Sequence, residues 1–320
     1  MQEGLLESPK LSMPTATLGP VVACTMFEGH YHKGSAALIN SLYRWGYRGV
    51  FYVAFRGELP PWSAGKPEVS IAEGLIVRFE KFETPLHYTF CKAQWMNRIF
   101  DAVAPLASAV LYFDPDIIVK CPWSFFENWV ENRVALVQDV NWSCSRSHPI
   151  RRDWDRYLIP HGLVTKHLTD YYCNAGFVGV DRRQREFLLS WERVMEAVVS
   201  IAGERSQITF GDLNFCFHKA DQDSLNVAVD IQPDVISVMG PEAMDFAEGG
   251  HTMSHAVGSL KPWKNGFILN ALNGRAPSKA DKAFMENAKG PISIFSKMDY
   301  RWRLFKLRLA AAISRFVRRS

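Results

Sequence analysis

Short apolar runs alternate with stretches of helical period along most of this 320-residue chain. The runs at 20–25 and 50–55, the second closed by Gly57, predict buried strands. Between them, residues 34–45 place apolar side chains at helical spacing. Residues 59–67 are rich in Pro and Gly and predict a loop, with a short strand after it at 75–79. A helix is predicted over 88–104, stopped by Pro105. Further strands are predicted at 109–113, 133–140 and 174–180, and a long amphipathic helix over 184–199. Alternation of this kind predicts an α/β domain with a mostly parallel sheet and helices on both faces. The stretch 142–169, rich in Arg, His and Ser, reads as a long loop or lid.

Composition narrows the class. At 48% hydrophobic, a chain of this length buries one large core or two modest ones. Six cysteines are scattered without paired short spacing, which excludes a disulfide framework or zinc cluster and predicts a reducing, cytoplasmic setting. Residues 1–18 lack the basic-then-apolar order of a signal peptide and read as a tail. No apolar run approaches the roughly 18–20 residues of a membrane span. Charge is uneven: residues 297–320 hold eight of the 37 basic residues and one of the 33 acidic ones, leaving 29 against 32 elsewhere. In that segment Trp302, Phe305, Leu309, Ile313 and Phe316 recur at helical spacing, with Arg301, Arg308, Arg315 and Arg319 interleaved. Such a helix either lies on an anionic membrane surface or packs its apolar stripe on the body. No nucleic-acid-binding signature accompanies it, so nucleic acid is not an expected partner. The expected organisation is a tail at 1–18, one domain at 19–290, and a basic amphipathic segment at 291–320.

Three elements carry chemistry. In Asp114-Pro115-Asp116, at the carboxyl end of an apolar strand, side chains two apart point the same way, so both carboxylates can face one cation. Alone, the triplet is as well explained as a strand-terminating turn. His255 adds an imidazole, and the set suits Mn²⁺ first and Mg²⁺ next. Gly258 lets the backbone approach a diphosphate, Lys261 neutralises it, and Pro262-Trp263 anchors the loop. The third element is Asp221-Gln222-Asp223-Ser224-Leu225-Asn226, where helix capping accounts for one acid but not for two flanking an amide.

These motifs together, HAVGSLKPW, DQDSLN, FDPD and the Asn174-Ala175-Gly176-Phe177 strand, resemble glycosyltransferase family 8, which includes glycogenin and bacterial lipopolysaccharide hexosyltransferases. The resemblance covers about residues 21–263. It implies a GT-A fold and retaining transfer of a hexose from a nucleotide donor, usually UDP-linked, to a glycan or lipid-linked acceptor. It implies Asp114, Asp116 and His255 as metal ligands, and Gly258 and Lys261 on the diphosphate. Asn174 and Asp221 would contact the donor sugar, and Gln222 would lie at the reactive carbon opposite the leaving group. Tyr31 would stack on the base, with Glu28 at its edge and Thr25 beside them. Glu28 departs from the family's usual Asp. Arg98 is expected to contact the sugar, ahead of Lys92. The lid would hold the acceptor, with Arg151, Arg152 and His161 as contacts. Two other readings stay open: a sugar-phosphate nucleotidyltransferase, and a non-catalytic membrane-bound nucleotide-sugar sensor.

Overall fold

The computed structural model describes residues 19–140, 144–166, 169–202 and 215–317; the 1–18 tail, Arg319 and parts of the 142–169 stretch lie outside them. Strands β1 (Val21–Glu28), β2 (Gly49–Arg56), β3 (Glu68–Ala72), β4 (Leu75–Lys81) and β5 (Ala109–Phe113) come first. They are followed by β6 (Ile117–Val119), β7 (Val134–Gln138), β8 (Cys173–Asp181), β9 (Ile236–Met239) and β10 (Met253–His255). Eight of them form one sheet in the order β3-β4-β2-β1-β5-β8-β7-β9. β4, β2, β1 and β5 run parallel, β8 opposes both of its neighbours, and β3 closes an antiparallel hairpin with β4. The mostly parallel α/β sheet expected from the sequence is therefore present, with an antiparallel insertion at β8.

Period-two alternation sends successive strand side chains to opposite faces. Cys24, Tyr52 and Tyr112 meet Trp95, Trp191 and Leu225 on one face. Ala23, Phe51 and Leu111 meet Leu38, Leu42 and Phe126 on the other. Helices α1 (His32–Arg44) and α3 (Trp123–Val130) thus cover one side. α2 (Lys92–Arg98), α5 (Arg185–Ala202) and α6 (Ala220–Ile231) cover the other. The helix expected over 88–104 is real but mixed: a tight turn at Tyr88–Cys91 precedes α2, and a wide π turn at Ile99–Val103 follows it.

Two expectations change. The 142–169 stretch is not a loop throughout, because Pro149–Leu158 forms helix α4, which buries Trp154 and Leu158. The carboxyl-terminal segment is not separate from the body. After α7 (Phe267–Leu272) and α8 (Lys279–Asn287), helix α9 (Lys297–Ile313) packs Leu307 and Ala310 onto Trp263, Phe267 and Phe284. The stripe that packs is not the aromatic one. Trp302, Phe305 and Phe316 stay exposed, at 54%, 52% and 86%, among Arg301, Arg308 and Arg315. Among the described residues, no helix is long and apolar enough to cross a membrane.

Candidate active site

The carboxyl ends of β1 and β5 open onto a cavity of about 680 Å³, where open α/β sheets place their ligands. Its cation-binding wall is assembled by a small second sheet. β6 follows the Asp114-Pro115-Asp116 turn directly, and antiparallel pairing with β10 sets His255 opposite Ile117. His255 Nε2 then lies 3.3 Å from Asp116 Oδ1 and 3.9 Å from Asp114 Oδ2. One ligand atom from each of the three residues falls within 4.8 Å of the others.

Two glycines make this approach possible. A Cβ at Gly176 would stand 2.5 Å from His255 Cε1, so the β8 strand leaves room for the imidazole only by having no side chain there. A Cβ at Gly34 would stand 2.2 Å from Pro115 O and 2.7 Å from the Trp263 ring. α1 is thereby pressed against both the acidic turn and the loop that carries Lys261.

The donor set fits a divalent cation. Two carboxylates and an imidazole converge with hard oxygens in the majority, as Mn²⁺ or Mg²⁺ requires. Among the described residues His255 Nδ1 is buried without a hydrogen-bond partner, and Nε2 is the nitrogen turned toward both acids. Burial, the largest influence on Asp116, would raise its pKa. His255 and Lys261 outweigh that and hold the carboxyl well below the usual range.

Lysines neutralise this wall. Lys261 Nζ donates to Asp116 Oδ2 at 2.5 Å and to Ala256 O at 2.8 Å. Lys92 Nζ, on α2, lies 3.0 Å from Asp114 Oδ1 and 3.4 Å from Asp221 Oδ2, and donates to Ala175 O at 2.9 Å. Burial would lower the Lys92 pKa, but Asp114 and Asp221 overcome it and keep the ammonium charged. Asp221 is raised by burial and, less, by Asp114, against the pull of Lys92.

Beside this corner, joined to it through Lys92 and Gly176, stands a polar wall from the end of β7, β8 and the first turn of α6. Asp139 Oδ2 accepts from Asn174 Nδ2 at 2.9 Å and from Gln222 Nε2 at 2.8 Å. Gln222 Oε1 in turn accepts from Asn174 Nδ2 at 3.2 Å and from the Ala175 amide at 3.4 Å. A carboxylate accepts only, so it fixes which end of each amide faces it. Sequence reasoning missed Asp139, and also Gly176 as the residue that admits His255. The signal for the glycine was its place in the Asn-Ala-Gly run; a lone acid after a strand offered none.

At the third side, Tyr31 and Glu28 line the cavity. Tyr31 stacks on His30 at 4.8 Å, and His30 Nδ1 accepts from Trp263 Nε1 at 2.9 Å. Glu28 is held by Arg56, whose Nε donates to Oε2 at 2.8 Å. Gly258 adopts φ 90°, a left-handed conformation that favours glycine, with no atom near its missing Cβ.

Several expected residues stand elsewhere. Arg98 is half exposed, 3.9 Å from Glu80 and outside the cavity; Lys92, ranked below it, is the cation at the site. Thr25 is buried behind the wall, where its hydroxyl donates to Phe113 O at 2.7 Å. Arg151 contacts no open surface. It is buried in a fork onto Asp230, Cys144 O and Tyr171 O. Arg152 and His161 are exposed and do not line the cavity. Neither a protein-family model nor a curated protein matches the chain. The cavity brings together a cation-binding corner, two lysines, and an amide–carboxylate wall beside them.

Proposed function

We propose that this chain is a metal-dependent retaining glycosyltransferase of GT-A type that moves a hexose from a nucleotide donor, UDP-linked, to a glycan or lipid-linked acceptor. One observation carries the reading. Asp114, Asp116 and His255 meet at one corner of a cavity that Asp221, Gln222 and Asn174 also line, so a charged diphosphate and a neutral, hydroxyl-rich ring each have matching chemistry within one volume. Glu28 and Tyr31 at the third side suit a base, one as acceptor for a ring N–H and the other as a stacking face.

A Mn²⁺ or Mg²⁺ held by Asp114, Asp116 and His255 would act as a Lewis acid for charge developing on the departing diphosphate. The chain's own residues do the rest. Lys261 supplies a point charge to the diphosphate. Asp221, Asn174 and Asp139 orient the sugar hydroxyls. Gln222 is a neutral amide whose oxygen is already engaged by Ala175 N and Asn174, so it positions rather than attacks. The acceptor hydroxyl then bonds to the anomeric carbon on the face from which the diphosphate leaves, and its proton passes to a diphosphate oxygen.

A panel of nucleotide sugars with and without Mn²⁺, followed by nucleoside diphosphate release, tests this. One donor should turn over slowly with metal, and Asp116→Ala should abolish it. NMR of the glycoside should show the anomeric configuration retained. Absence of metal-linked binding for every nucleotide sugar rejects the reading.

The exposed Arg-aromatic stripe of α9 supports an acceptor at the cytoplasmic face of an anionic membrane. Because Leu307 and Ala310 are packed, the test spares them. Replacing Trp302 and Phe305 with Ser and Arg301 and Arg308 with Glu should release the protein from phosphatidylglycerol vesicles without lowering Tm. Undiminished sedimentation with the vesicles rejects the membrane partner.

A further inference from the structure

The carboxylates of the cation corner already carry positive partners from the chain, and the two lysines that supply them are held differently. Lys92 is 2% exposed, sits in a helix, and donates to two acids and a strand carbonyl. Lys261 belongs to a loop between His255, at the end of β10, and the buried Trp263. Within that loop Val257 and Leu260 are half exposed, and Gly258 takes φ 90°. The loop's middle is unpacked while both ends are anchored. Its fold is held by Lys261 itself, which bridges Asp116 and the loop carbonyl of Ala256.

A buried carboxylate with no cation is costly, so some positive charge must always sit on Asp116. A lysine and a divalent ion on the same carboxylate repel each other. Resting on the glycosyltransferase reading, we propose that Lys261 is a resident counter-ion of the cation site. It occupies Asp116 until a divalent cation replaces it, and the freed ammonium then turns to the donor's diphosphate. Cation binding and nucleotide binding are thus coupled through one side chain, with the cation entering first. Val257, Gly258, Ser259 and Lys261 all line the cavity, so the released ammonium swings within the volume that receives the diphosphate.

The test measures free Mn²⁺ by electron paramagnetic resonance, titrated into wild type, Lys261→Met and Lys261→Gln, with and without uridine diphosphate. Removing a competing cation should make Mn²⁺ alone bind both variants roughly fivefold more tightly or better. Uridine diphosphate should tighten Mn²⁺ binding by about tenfold or more in wild type and by less than about threefold in the variants. Circular dichroism reports folding, and Gln, polar and uncharged, decides if Met does not fold. If Mn²⁺ alone binds the variants no more tightly than wild type, the exchange is wrong while the cation site stands. If wild type binds no Mn²⁺ in either condition, the site itself fails and the exchange with it.

Discussion

The two ends of α6 each bury an acid beside a base, and they do opposite things. At the first turn, Asp221 lies 3.4 Å from Lys92 at the wall of an open cavity, and the ammonium is shared with Asp114. At the last turn, Asp230 faces Arg151 in a sealed pocket, where both side chains are at most 1% exposed. The guanidinium there also donates to Cys144 O at 3.0 and 2.7 Å and to Tyr171 O at 2.7 Å. Asp230 Oδ1 completes the set by accepting from Thr169 N at 2.8 Å and Thr169 Oγ1 at 3.0 Å. A planar fork with its donors committed inside a sealed core is a clamp; a point charge held at a cavity wall sets the charge of the space beside it. Burial of a charge alone does not mark a functional site. What marks it is whether the pair borders a space that a ligand can enter.

The largest expected effect breaks the sealed end. Arg151→Ala strands Asp230 and two carbonyls, and breaking a buried pair from one side costs about 3–5 kcal/mol. Urea denaturation should show that loss, together with protease sensitivity around residues 144–171. A loss below about 1 kcal/mol would mean that the fork is not a clamp.

Next comes an acid two residues beyond Asp221, on the same turn but with no access to the cavity. Asp223 accepts from Tyr172 Oη at 2.6 Å and Lys219 N at 2.9 Å, and burial raises its pKa to about 7. Because the folded value exceeds the unfolded value of about 3.9, the native state keeps a proton that the unfolded chain releases. That contribution is complete below about pH 4 and lost as pH rises to about 7. The contribution of Asp223 to stability should therefore fall across this window by up to about 1.4 kcal/mol per pH unit. Asp223→Asn does not titrate, so its stability relative to wild type should rise from pH 4.5 to pH 7.5 in paired denaturation curves. A constant difference would show that Asp223 stays ionised.

The sequence made one end of this contrast readable and hid the other. The Asp114-Pro115-Asp116 turn, His255 and Lys261 were legible as a set, because together they make a donor set for a cation and a phosphate, although the triplet alone is as well explained by a turn. Their meeting was invisible, because β6 and β10 are three residues each and too short to leave a pattern. The ranking of Arg98 over Lys92 failed on helix geometry. Six residues at about 100° per residue put the two roughly 120° apart around α2, and only Lys92 faces the cavity. Arg151 sat in a polar stretch that reads as solvated, and its partner lies 79 positions away.

At the open end, Lys92→Met leaves Asp114 and Asp221 facing a cavity rather than a sealed core. Stability should therefore fall by less than in Arg151→Ala, and added Mn²⁺ should restore part of it. Activity should drop by about 100-fold, because the acid that grips the sugar loses its partner. Thermal shifts with and without Mn²⁺, beside initial rates, separate the two effects. Equal loss of stability in both variants would erase the distinction between the helix ends.

The smallest effect sharpens the open end itself. Asp139 holds Asn174 and Gln222 by presenting oxygen to two NH₂ groups at once. Asp139→Leu removes the single oxygen, Oδ2, to which both NH₂ groups donate, so each amide loses its common acceptor and is free to turn over. Gln222 then exposes a different atom to the sugar, or Asn174 loses its link to the Gly176 amide, which its Oδ1 accepts at 2.8 Å. Neither change touches Lys92 or the cation corner. Mn²⁺ affinity should stay within about twofold of wild type while kcat/KM falls by about tenfold, one misplaced hydrogen bond's worth. An unchanged kcat/KM would mean that the amides are oriented by the strand and not by the carboxylate, and that the wall beside the cation corner is rigid without Asp139.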